Sequence, residues 1–271
     1  MSVLRAACVN PVEHYGLDVG LLRLGDPADF VVVRSLEGLE VSLTVIDGQV
    51  VAEGGRACFE VGRPAVVNQF SAVAKEAREF EVRASGSTMR VIEARDGQLT
   101  TGELRMAAKV EDGLAVVDVS RDLLKLTVVN RYKDAPPAVA FIKNFGLERG
   151  AIASSVAHDS HNLLGVGTSD AALARAVNAV VEIGGGLAVF DGREVHTLPL
   201  PIAGLMSDLQ GEEVGRRYGH LTELSKQLGA TLRAPFMTLS FMALLVIPDL
   251  KLSDRGLFSG EKFALVDLFV D

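Results

Sequence analysis

Apolar positions along this chain alternate in short runs more often than they recur at helical spacing, so strands dominate the expected elements. Residues 29–34 (DFVVVR) and 41–46 are strand candidates. The second runs through Asp47-Gly48, a two-residue turn suited to positive φ, into residues 49–52. This small β unit closes near Gly54-Gly55, and the less regular residues 56–84 link it to the rest. From Thr88 onward, β-like runs repeat at 89–94, 103–110, 115–119, 123–132, 139–143 and 152–157. Asp96-Gly97, Asp112-Gly113 and Pro136-Pro137 punctuate them.

Three stretches change the pattern. In residues 169–183, Leu173, Ala176, Val177, Val180 and Val181 fall at i, i+3, i+4, i+7 and i+8. That spacing predicts an amphipathic helix with Thr168, Ser169 or Asp170 as N-cap and Gly184 as its stop. Residues 187–190 and 194–200 predict a hairpin around Asp191-Gly192. A second helix is expected over 212–228, with Val214, Tyr218, Leu221 and Leu228 inward and Gly229 closing it. Residues 3–9 read as the last turns of a helix that Asn10-Pro11 stops. Either this is a short helix docked on its own domain, or the chain starts in the middle of a larger architecture. The expected class is α+β: mostly antiparallel sheets with flanking helices, preceded by a small β unit.

With 271 residues and 48% hydrophobic content, the chain has room for one large or two modest domains. A net charge of −8, with the 27 basic residues scattered, offers no stripe for a phosphate backbone and argues against nucleic acid or an anionic membrane as partner. Cys8 and Cys58 have no disulfide or metal spacing and read as reduced thiols. MSVLRAACVNP lacks the regions of a signal peptide, and the apolar segment 236–248 is shorter than the roughly 18 residues of a spanning helix. A cytoplasmic location is expected. The same segment suggests a buried core or a subunit contact, hence a homo-oligomer.

Candidate chemistry concentrates in residues 152–168, IASSVAHDSHNLLGVGT. Polar groups set between apolar runs need partners, because burying one unpaired costs about 1–3 kcal/mol. His158 and His161, spaced H-x-x-H, share a face on a tight turn but not on a strand. The preceding residues look like strand, so the pair is expected where a strand ends, with Asp159 or Asn162 able to orient an imidazole. Three readings stay open: a hydrogen-bonded turn, a metal pair, or a loop that touches a ligand or a neighbouring domain. Gly165-x-Gly167 reads as a glycine-permitted turn capped by Asp170, whose charge would repel a phosphate. Ser207 and Asp208, at the end of PLPIAGLMSD, are placed to cap the second helix. His14, His196 and His220 look isolated and structural. A Ser155-His158-Asp159 triad is conceivable, but nothing sets that serine on a strained elbow.

Several stretches carry a family likeness: NPVEHYGL (10–17), LGDPADFVVV (24–33), VIDGQVVAEGG (45–55), KNFGLERGAIASSVAHDSHN (143–162) and VGTSD (166–170). NAVVEIGGGLAVFDG (178–192), LPLPIAGLMSD (198–208) and PFMTLSFMALLVIPDLKLSDRGL (235–257) continue it. In this order they closely resemble the bacterial adenine deaminases, amidohydrolase-type enzymes that convert adenine and water to hypoxanthine and ammonia. In that family a metal-binding (β/α)₈ barrel precedes the matched region and carries a G-x-x-D-x-H-x-H type motif; this chain has five histidines and no H-x-H. The H-x-E and P-C-x-x-C pattern of the zinc-dependent nucleoside deaminases is also absent.

The resemblance thus implies that residues 1–62 are the remnant of the family's small β domain and 63–271 its C-terminal α+β domain. Residues 3–9 would match the helix joining barrel to β domain. It places no catalytic residue and no cofactor in this chain alone; a divalent metal (manganese, iron or zinc) belongs to the barrel, present in cis or in trans. His158, Asp159, His161, Asn162, Ser207 and Asp208 become the candidates that face the purine or the barrel, with His158 and His161 the nearest to metal ligands. A stand-alone binding or regulatory module, and an independent metal-dependent hydrolase using His158, Asp159 and His161, are the alternatives.

Overall fold

The computed structural model of the chain describes residues 1–60, 62 and 64–270. Its contacts divide it into two compact units, Met1–Arg63 and Pro64–Asp271. The expected boundary between 62 and 63 falls against Val61 and Arg63, which lie outside the described residues.

In the first unit α1 (Ser2–Leu4) runs through a π-helical turn (Arg5–Val9) into α2 (Asn10–Tyr15). Asn10-Pro11 therefore does not stop the helix, contrary to expectation. Pro11 lies in the first turn of α2, where its fixed φ suits the helix. Gly16, at φ 62, ends it. The sheet that follows is a simple antiparallel meander of β1 (Phe30–Val33), β2 (Val41–Ile46), β3 (Gln49–Glu53) and β4 (Arg56–Ala57). The Asp29 carboxylate accepts from Asp47 N (2.7 Å) and Gly20 N (2.9 Å), which pins the β2–β3 turn and holds the carboxyl below its ordinary pKa. Val45 is the one buried hydrophobic residue described in this unit, while Val31, Val32, Val41, Ile46 and Val50 stay exposed.

The second unit has three sheets. A small one joins β5 (Val82–Arg83), β9 (Leu114–Val116) and β8 (Lys109–Glu111). The main sheet takes β6 (Thr88–Glu93), β7 (Gly102–Ala107), β10 (Leu124–Val129), β11 (Ala138–Lys143), β12 (Ala151–Ser154), β13 (Leu163–Gly167), β14 (Gly186–Phe190) and β15 (Val195–Pro199). Its strand order is β15-β14-β12-β13-β10-β11-β6-β7, antiparallel except where β11 meets β6. α3 (Asp170–Glu182) covers one face, while α4 (Gly211–Gln227) and α5 (Pro235–Phe241) pack into the core on the other. A third sheet of β16 (Leu250–Ser253), β17 (Gly256–Ser259) and β18 (Ala264–Leu265) completes the unit. The expected α+β class holds.

Cover on both faces explains why all six residues of β10 are buried, Lys125 included. The Lys125 ammonium donates to the Asp170 carboxylate at 2.6 Å and to Phe80 O at 2.9 Å, so the buried charge is paired and tethers the start of α3. Two expectations fail here. The run 103–110 splits between β7 and β8, which belong to different sheets. Gly165 and Gly167 form no turn; they lie in β13, paired with Thr127 and Ala153, and with Lys125 and Ala151. A Cβ on Gly167 would stand 2.8 Å from Ala151 Cβ and 3.0 Å from Leu173 Cγ, so these glycines let α3 pack directly on the sheet. Ser169, not Asp170, caps α3, accepting from Ala172 N at 3.1 Å.

The apolar segment 236–248 is largely consumed by the core: Phe236, Leu239, Met242, Ala243 and Leu244 are all buried. Its composition needs no second subunit. Among the described residues no helix is long and apolar enough to cross a membrane. Lys251, fully buried in β16, donates to Leu99 O (2.7 Å) and to Phe241 O (3.1 Å) at the end of α5. Burial pulls its pKa down to about 8, against the opposing pull of Asp249. Between that value and the ordinary 10.5, the unfolded chain holds a proton that the folded chain has released. The contribution of Lys251 to stability therefore rises with pH across that window and is constant below it. Urea melts at about pH 8 and about pH 10 are expected to show this rise in the wild type and a smaller one in Lys251→Met.

Candidate functional site

The central strands β12 and β13 are joined by a loop, residues 155–162, that carries the polar cluster. Each polar side chain along it has a definite place. Ser155 is fully buried; its hydroxyl accepts from Gly186 N (2.7 Å) and donates to Gly204 O (2.6 Å). It ties the start of β14 to the segment after β15 and has no bond to His158, so no triad forms. His158 N donates to Ser240 O at 3.0 Å, and the imidazole stacks on Phe241 with centroids 4.7 Å apart and planes 21° from parallel. Asp159 and Ser160 are exposed at the tip.

His161 closes the loop. Its N–H donates to Ala157 O at 2.7 Å, and the Ala157 N–H points back to Nδ1 of the ring at 3.4 Å. His158 and His161 do meet, with centroids 5.8 Å apart and planes 64° inclined. Neither Asp159 nor Asn162 orients an imidazole, contrary to expectation. Buried Asn162 instead accepts from Arg131 N (3.1 Å) and donates to Ser160 Oγ (3.2 Å). Burial most, then the neighbouring His158 and Arg131, lower the pKa of His161; Asp159 acts on it only through space and in the opposite direction, and the net direction is down.

Arg131 is the residue that sequence reasoning missed. It follows the buried β10 and is itself only 3% exposed. Its Nη1 donates to His161 O at 3.4 Å, and Nη2 donates to Asn68 Oδ1 (3.2 Å) and Gln69 O (3.0 Å). The guanidinium lies 5.2 Å from the Phe70 ring and 5.3 Å from that of Tyr132. Its Nε has no partner, and no carboxylate among the described residues pairs with it. Tyr132 adds a bond from its hydroxyl to Ser160 O at 2.8 Å. The one signal available in the sequence was a charged residue at the end of a long apolar run, which strand periodicity absorbed.

Ser207 and Asp208 do not cap α4. That helix begins at Gly211 with Gln210 as N-cap and no side-chain bond, and Ser207 Oγ accepts instead from Leu209 N at 3.1 Å. The segment holding them reaches the loop through Gly204 and Ser155; no hydrogen bond or ion pair joins Ser207 or Asp208 to either histidine. His196 and His220 are not isolated. Their rings lie 6.0 Å apart, and His196 Nε2 stands 3.4 Å from Asp191 Oδ2. Among the described residues, no three His, Cys, Asp or Glu side chains gather as a metal site.

Residues 98–264, which include this loop, Arg131 and the segment 199–208, match the family model of the adenine deaminase C-terminal domain. The chain belongs to the adenine deaminase family. Residues 1–51 match the amidohydrolase family, a match that ends inside β3. An adenine deaminase of Salinibacter ruber is 58% identical over 273 residues, covering 100% of this chain and 50% of the relative. One from Methanosarcina mazei is 46% identical over 286 residues, and one from Borreliella burgdorferi 38% over 268, covering 51% and 49% of those relatives. The chain spans about half the length of the curated relatives it matches.

Proposed function

We propose that this chain forms the C-terminal half of a cytoplasmic adenine deaminase, in which adenine and water become hypoxanthine and ammonia. Turnover requires a metal-binding amidohydrolase barrel, supplied in cis or in trans, and the chain alone is inactive. In this reading residues 1–62 are the remnant of the small β domain and 63–271 the C-terminal domain. The observation that carries it is the pair of family matches, the adenine deaminase C-terminal domain over residues 98–264 and the amidohydrolase family over 1–51, on a chain that spans about half the length of its curated relatives.

A divalent metal, when bound by the barrel, supplies activated water. Among the described residues of this chain no three His, Cys, Asp or Glu side chains gather to hold a metal, and their part is different. His158 and His161, on a loop clamped by Ser155, Asn162 and Arg131, form a firm polar wall for the purine or the barrel mouth.

The test joins the chain to the N-terminal half of the Salinibacter ruber relative and compares it with the chain alone, both supplied with manganese. The joined protein is expected to release ammonia from adenine and the lone chain none. In the joined protein, His158→Ala and His161→Ala are each expected to lower kcat/KM by about 100-fold, the scale of a misplaced positioning contact. Activity in the lone chain would remove the proposal, and unchanged kinetics in both variants would remove the loop from the reaction.

A further inference from the structure

The loop 155–162 commits every polar backbone and ring position of His161 except one. Its N–H is spent on Ala157 O and its carbonyl takes Arg131 Nη1. The Ala157 N–H is directed at Nδ1. Only an unprotonated ring nitrogen can accept an N–H, so Nδ1 carries no proton. In a neutral imidazole the proton then sits on Nε2.

The surroundings favour the neutral ring. Burial does so most, His158 and the buried Arg131 guanidinium add to it, and among the described residues exposed Asp159 is the acidic group that opposes them. The backbone pins the geometry as well, since His161 sits at φ 50. There a residue other than glycine costs on the order of 1 kcal/mol, and persists only where its surroundings dictate it.

Metal ligation does not fit this arrangement. A metal on Nε2 would force the ring proton onto Nδ1, donor against the Ala157 donor; a metal on Nδ1 would have to displace that N–H. Next to His161 stands the His158–Phe241 stack, and neither His158 nitrogen has a partner among the described residues. We propose that His161 is a fixed hydrogen-bond donor through Nε2–H, and that with His158 it forms a binding site for a flat heteroaromatic ring bearing an acceptor nitrogen or oxygen. This deepens the purine reading and rests on it only for the ligand; the protonation of the ring does not depend on it.

Two measurements separate those parts. Long-range ¹H–¹⁵N correlation spectra of the full chain near neutral pH are expected to show His161 with Nδ1 unprotonated and Nε2 protonated. Equimolar zinc is expected to leave those signals in place. A protonated Nδ1, or a zinc-induced shift at His161, would overturn the inference whatever the joined protein does.

The second measurement takes KM and kcat for adenine in the joined protein. His161→Gln, which keeps an amide donor at similar reach, is expected to stay within about 3-fold of the wild-type KM, while His161→Ala raises it about 10-fold, the worth of one hydrogen bond near 1.4 kcal/mol. Equal losses in the two variants would overturn the donor role. A joined protein without any activity would count against the deaminase reading alone, leaving the spectra to decide the protonation.

Discussion

Replacing Arg131 with alanine is expected to lower the melting temperature of this chain by roughly 6–12 °C. That follows from a loss of about 3 kcal/mol, at 2–4 °C per kcal/mol for a unit of this size. The guanidinium donates to His161 O, Asn68 Oδ1 and Gln69 O, and all three acceptors would lose that donor. It also fills space beneath Gly204 and between the rings of Phe70 and Tyr132. Removing a buried cation that has no carboxylate partner returns part of this energy, because its desolvation is no longer suffered. The return is limited: a guanidinium is weakly hydrated, and two aromatic faces each offer it about 1–2 kcal/mol.

Arg131→Lys is expected to lose about half as much, since three N–H groups on one nitrogen cannot reach acceptors that the guanidinium meets through two separate nitrogens. Hydrogen exchange is expected to speed up in Arg131→Ala at residues 68–71 and 156–162 while the core of β10 and β13 stays protected. A loss below about 1 kcal/mol would show that Arg131 does not organise these loops.

Gly185→Ala is expected to cost about 3 kcal/mol, by a different route. Gly185 sits at φ +113, and a Cβ there would stand 2.6 Å from Gly204 Cα and 3.2 Å from Ser155 Oγ. The backbone strain and the clash act together, and the clash pushes the segment 203–206 off Ser155. Gly192 is the control: its φ is +104, but nothing lies within 4 Å of its would-be Cβ. Gly192→Ala is expected to cost only the strain, about 1–2 kcal/mol. Denaturant melts of the two variants therefore isolate the contact, and equal losses would show that the close approach of Gly185 to Gly204 adds nothing.

Much of the fold was legible because it rests on local pattern. The hairpin around Asp191-Gly192, the two long helices with Leu221 and Leu228 inward, and the meander through Asp47-Gly48 all follow periodicity and turn chemistry. β13 was hidden for the opposite reason. Its glycines look like punctuation, and only α3 lying on them explains why a buried strand carries no side chain at Gly165 and Gly167. Pro11 misled in the same way, since a proline in the first turn of a helix and one past its end look alike until the flanking turns are seen.

The amino-acid sequence by itself determined the α+β class, most of the strands, the family, and the position of the polar cluster at the end of a strand. Those depend on residues near one another along the chain. Tertiary structure decided what the cluster is. It brought Arg131 and Asn68, 63 positions apart, onto one hydrogen bond, stacked His158 on Phe241, and spent Ser155 on Gly186 and Gly204. It also turned the Ala157 N–H toward His161 Nδ1, which separates a hydrogen-bond donor from a metal ligand. No spacing rule contains that distinction, because it depends on which atom of a ring a distant set of contacts leaves free.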